Sequence, residues 1–150
     1  MSALYLSLHT LAAVFWIGGI FFAYMVMRPV SAQLEPPARL RMWVSIYTRF
    51  FPWVWIFIAV LILSGYLDML ARFGQNTPLY LIAMQVVGWL MILIFAWLYF
   101  VLFARLRRAV AAENWSEGGA VMNPIRRVMA VNLGLGVLIS VVGVAGPFFG

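Results

Sequence analysis

Four long apolar runs, over residues 3–27, 51–72, 78–104 and 124–146, constrain this chain more than anything else in it. As a helix rising 1.5 Å per residue, each is long enough to cross a hydrocarbon layer of about 30 Å. No water is available inside lipid to satisfy backbone N–H and C=O groups, so segments of this kind must be helical. The chain therefore reads as all-α, an integral-membrane four-helix bundle with residues 1–150 as a single transmembrane domain. The composition agrees: 66% of residues are apolar and the mean hydropathy is +1.02. No soluble domain of this length has interior enough to bury so much apolar surface. The absence of cysteine excludes disulfides, iron–sulfur clusters and cysteine zinc sites. The first run is read as a span and not a cleavable signal, because no basic region precedes it and its apolar core is too long.

The formal charge of +6 comes from ten arginines and no lysine. Their positions point to lipid, not nucleic acid, as the partner. An even number of spans puts both termini on one side. Arg28, Arg39, Arg41, Arg49, Arg105, Arg107, Arg108, Arg126 and Arg127 flank the two loops on the other side, and only Arg72 lies near the termini. Basic residues are retained on the cytoplasmic face. The reading is a multi-pass protein of the bacterial inner membrane, with cytoplasmic loops and both termini periplasmic.

Local signals divide the chain further. Arg28-Pro29 is expected to end the first helix, and Glu35-Pro36-Pro37 to start the next. The stripe Leu40, Trp43, Val44 and Tyr47 predicts a short interfacial helix between helices one and two, or a connecting helix packed on the bundle. Pro52 is placed in the first turn of helix two. Asp68 precedes Arg72 by four residues, the favourable order for an intrahelical pair. Thr77-Pro78 is an N-cap followed by a first-turn proline. Residues 114–121 are expected to form a glycine-bearing loop, with Asn123-Pro124 opening helix four. The small and polar face Asn132, Gly136, Ser140 and Gly143 is expected to turn inward.

Chemistry has one obvious entry point, His9, the only histidine. With the termini outside, His9, Tyr66, Asp68, Met84, Gln85 and Ser140 all fall in the outer leaflet. Polar side chains in hydrocarbon are costly, so they should face one another or water. The expectation is a small outward-facing pocket centred on His9. Three roles are open to that histidine. It can bond a serine, tyrosine or backbone carbonyl as interhelical glue, it can ligate a metal or haem, or it can move a proton. For copper(I), His9 with Met84 is a soft ligand set, with Trp16 on the same helix face and Gln85 as further cofactor contacts. For b-type haem a lone histidine requires a His9/Met84 pair, a five-coordinate iron or a homodimer. No catalytic constellation is evident, so a binding role is read ahead of an enzymatic one.

Beyond these physical readings, the motif Leu8-His9-Thr10-Leu11-Ala12-Ala13, then Phe15-Trp16-Ile17-Gly18-Gly19 and Arg28-Pro29, resembles the first helix of the copper-resistance D (CopD) family of bacterial inner-membrane proteins. The likeness continues through Phe50-Phe51-Pro52-Trp53-Val54-Trp55, Ser64-Gly65-Tyr66, Arg105-Leu106-Arg107-Arg108-Ala109-Val110, Ile125-Arg126-Arg127-Val128 and Asn132-Leu133-Gly134. It resembles the short single-domain members and implies copper handling at the inner membrane. A more distant likeness is to the HemJ-type protoporphyrinogen oxidases, which pair a first-helix histidine with a third-helix lysine. His9 matches the histidine, but the chain has no lysine and reads Ala83-Met84-Gln85 there. Short copper-resistance D members also often carry a histidine in helix three before a Tyr-Phe pair, where this chain has Ala96-Trp97-Leu98. The function read from all of this is copper handling, with a haem-linked redox protein, or a structural subunit docking another membrane protein, as alternatives.

Overall fold

The computed structural model describes residues 1–149. Four helices long and apolar enough to cross a membrane make up nearly all of it: α1 (Ser2–Ser31), α2 (Pro36–Arg72), α3 (Leu79–Ala111) and α4 (Trp115–Phe148). No strand occurs among the described residues. Both termini and the turn at residues 73–78 lie at one end of the bundle. The connections at 32–35 and 112–114 lie at the other, which carries nine of the ten arginines. Along the bundle α1 packs against α2 and α4, and α3 packs against α4, while α2 meets α3 most closely toward the loop end.

Three boundaries differ from those expected, each for a local reason. The first helix does not stop at Arg28-Pro29 but runs on to Ser31. Its turn Phe22–Met27 is widened to a π-helix, with the Arg28 amide bonding the Ala23 carbonyl. A proline ring clashes with the carbonyl four residues back, and a widened turn moves that carbonyl aside. The second difference removes the separate interfacial helix. Residues 36–48 are continuous with the second span, and Pro52 sits inside the 37-residue helix. Of the two placements expected for the stripe, the packed one holds: Leu40, Trp43 and Tyr47 are buried against the bundle. The Trp43 indole donates to Ser31 Oγ at 3.1 Å, tying α2 to the end of α1. Third, the loop expected over 114–121 shrinks to residues 112–114. Asn114 caps α4, its side-chain oxygen accepting from the Glu117 amide at 3.2 Å. Gly118 lies so close to α2 that a Cβ there would meet Leu40 Cδ1 at 2.9 Å. The glycine that looked like a loop marker is thus a contact point between helices. Asn114→Ala is expected to destabilise the folded bundle by about 1 kcal/mol, seen as a lowered thermal midpoint in detergent.

Aromatic rings form the interior. Phe51 stacks on Tyr47 with centroids 4.8 Å apart, and takes edge-on contacts from Phe95 at 5.2 Å and Phe103 at 5.0 Å. Trp16 is buried and meets Phe95 edge-on. Gly136 lets α4 approach α1, since a Cβ there would stand 2.9 Å from Ile17 Cγ1. Outside this core the chain shows lipid-like inversion. Large apolar residues such as Leu63, Val86, Leu93, Phe100 and Val144 are exposed along the helices. So much exposed apolar surface suits a hydrocarbon surround and not water.

Candidate functional site

His9 projects from α1 onto one face of α2. Its Nδ1 lies 3.1 Å from the Leu61 carbonyl oxygen and 3.2 Å from Ser64 Oγ. A carbonyl oxygen only accepts, so Nδ1 carries the proton. The serine agrees, because its own hydroxyl proton is committed to the Val60 carbonyl and its oxygen is left to accept. In the neutral ring, Nε2 therefore holds the lone pair. Gly65 makes room for the ring: a Cβ there would lie 3.0 Å from His9 Cε1.

Leu61, Ser64, Gly65 and Asp68 follow helical spacing, so one face of α2 supplies these neighbours of the imidazole. Asp68 is buried and stands within electrostatic reach of His9. One carboxylate oxygen, Oδ2, accepts from Arg72 Nε at 2.8 Å, and the other has no hydrogen-bond partner. The expected i,i+4 pair between Asp68 and Arg72 is present. The sequence places Asp68 at the level of His9, among the groups of the expected pocket, and the structure puts it within electrostatic reach of the ring. The spacing 61, 64, 68 held that signal, but which side of α2 faces α1 is a property of packing.

Gln85 belongs to a different seam. Its Nε2 donates to Met69 Sδ at 3.0 Å, and its Oε1 accepts from Tyr66 at 3.5 Å. Tyr66 in turn accepts from the Trp89 indole at 3.0 Å. Tyr66 and Met69 are turned roughly a quarter revolution around α2 from Gly65 and Asp68. The outer-half polar groups thus fall into two clusters on two faces of one helix, and no hydrogen bond joins His9 to Gln85. Met84 lies against α4, where a Cβ on Gly143 would meet its Cε at 3.1 Å. Trp16 sits deeper and lines a cavity of about 10 Å³ together with Asn132, room for about one water. The inward face expected on α4 holds for Asn132 and Gly136, both buried. Ser140 differs: it lies toward the outside and returns its hydroxyl to the Gly136 carbonyl at 2.8 Å. A hydroxyl that bonds its own helix needs no partner across the bundle.

The copper resistance protein D family model matches residues 44–145. The chain belongs to the copper resistance protein D family. The match runs from within α2 to the end of α4, so His9 and the rest of α1 lie outside it. No curated protein and no solved structure matches the chain. Family and helices together describe a multi-pass membrane protein of the copper-resistance D kind. Among the described residues, no three His, Cys, Asp or Glu side chains gather closely enough to hold a metal ion. A metal at His9 would have to add a thioether, a hydroxyl, a backbone oxygen or a second chain to its ligands.

Proposed function

We propose that this copper-resistance D protein handles copper at the outer leaflet of the bacterial inner membrane, with His9 as the principal ligand. The observation that carries the reading is the double commitment of Nδ1 to Leu61 and Ser64. Metal-binding histidines characteristically donate one ring N–H to a carbonyl or carboxylate, which fixes the ring and leaves the other nitrogen for the metal. As a second donor suited to copper(I) we assign the thioether of Met84, which packs on Gly143 of α4 and would have to turn toward His9; the free oxygen of Asp68 adds negative charge that favours a cation. Trp16, deeper in the bundle, and Gln85, on the neighbouring seam, are the further residues assigned to a bound cofactor. The arginine bias supports placing the loops in the cytoplasm and both termini outside, so that the imidazole is reached from the periplasm. The role is one of binding and handing on, not of bond-making.

The test is a copper(I) competition titration of the purified protein and of His9→Ala, with helix content and thermal midpoint as folding controls. The native chain is expected to hold about one equivalent and the folded variant to lose it. Equal binding by both would overturn the assignment. An optical spectrum of the same sample addresses the haem reading: a Soret band that disappears in His9→Ala would replace copper with b-type haem.

A further inference from the structure

The arginines at the loop end do more than mark an orientation. Two of them are paired: Arg41 with Glu113 at 3.5 Å and Arg105 with Glu117 at 2.8 Å. Arg28 from α1, Arg39 from α2 and Arg126 from α4 form no ion pair among the described residues. The guanidinium of Arg126 is within electrostatic reach of both Arg28 and Arg39. The Nε atoms of Arg39 and Arg126 are buried without a hydrogen-bond partner. Arg28 and Arg126 line one cavity with Tyr24, Trp43 and Tyr47, and Arg28 lies over the Tyr24 ring at 4.9 Å. Arg28 and Arg126 thus share one cavity, Arg39 stands within electrostatic reach of Arg126, and apart from a 3.5 Å bond from Arg126 Nη1 to Asn123 Oδ1 these guanidinium groups keep donors to spare.

Such an arrangement is repulsive unless an anion completes it. A group with several acceptor oxygens fits it, because arginine's planar fork matches phosphate geometry. The cavity itself, about 10 Å³, takes no more than a water, so the anion sits at its mouth, among the guanidinium groups. Beside it α1 exposes Phe21, Phe22, Met25 and Val26, apolar surface at the height where an acyl chain would leave a headgroup.

We propose that Arg28, Arg39 and Arg126 form a phosphate-binding site at the loop end of the bundle, occupied by the headgroup of an anionic phospholipid. The proposal does not depend on copper. It also assigns this end an anion site, which a cation crossing the bundle would not be drawn to.

The experiment is native mass spectrometry of the delipidated full chain in neutral detergent, titrated separately with phosphatidylglycerol, phosphatidylcholine and inorganic phosphate. Phosphatidylglycerol is expected to bind best, and Arg126→Gln to weaken it roughly tenfold. Arg107→Gln removes a charge that lies over Phe103 at the same end, and should change little. Arg126→Gln relieves repulsion, so without anionic lipid its thermal midpoint should equal or exceed that of the native chain. Should that variant fail to fold, Arg28→Gln and Arg39→Gln carry the same comparison. Equal weakening by Arg107→Gln and the cluster variants would show general charge attraction and overturn the site. Inorganic phosphate binding as tightly as phosphatidylglycerol would keep the site but overturn the lipid as its occupant.

Discussion

Gly65→Val is expected to lower copper affinity at His9 by roughly 10–100-fold, the usual cost of disturbing a ligand's outer hydrogen bonds. A Cβ at position 65 would stand 3.0 Å from His9 Cε1 and 3.2 Å from Nδ1. An alanine methyl asks the ring to give by a few tenths of an ångström. A valine adds two methyl groups on a stiff side chain and drives the imidazole off the Leu61 carbonyl and Ser64 hydroxyl. Gly65→Ala should therefore fall between the native chain and the valine variant. The chain has one histidine, so its proton resonances report the ring's movement without ambiguity. A displaced ring with unchanged copper affinity would mean that the metal does not depend on this orientation, and would count against His9 as the ligand.

Phe51→Ala should be among the most damaging single changes to the fold, at about 2–3 kcal/mol. In a water-soluble protein the loss would combine a transfer term with a cavity term. Here the unfolded helices remain in lipid, which is as apolar as the interior, and the transfer term nearly vanishes. What remains is the dispersion lost when five rings, Tyr47, Phe50, Phe95, Tyr99 and Phe103, face a void. Phe51→Leu fills part of it and should cost less than half as much. Denaturant-induced unfolding in mixed micelles would measure both. A loss below about 0.5 kcal/mol for Phe51→Ala would show that the bundle collapses around the gap or is held elsewhere, against the densely packed arrangement described above.

The features legible in the residues are those whose controlling physics acts along one helix. Run length specified the number of helices, and the Asp68–Arg72 pair followed from spacing. The family likeness was legible from short motifs in helices two to four, where the family match falls; the first-helix motif lies outside it. Pro29, Pro52, Gly118 and Pro124, residue types that usually end helices or mark loops, lie within helices. In this bundle a widened turn and neighbouring helices accommodate them. Tyr47 and Trp43 left two placements open, since an apolar stripe beside a proline looks the same on a membrane surface as against a partner helix, and packing chose the bundle.

Hydropathy and arginine placement, both one-dimensional properties, were enough to establish an all-helical chain with four membrane-length helices. The rotation of each helix about its own axis was not encoded in that way. It emerges from side-chain packing between helices, because lipid offers every apolar face nearly the same free energy. That rotation brings His9 to Ser64 and Asp68, sends Gln85 to Met69 and Tyr66 on another seam, and gathers Arg28, Arg39 and Arg126 at the loop end.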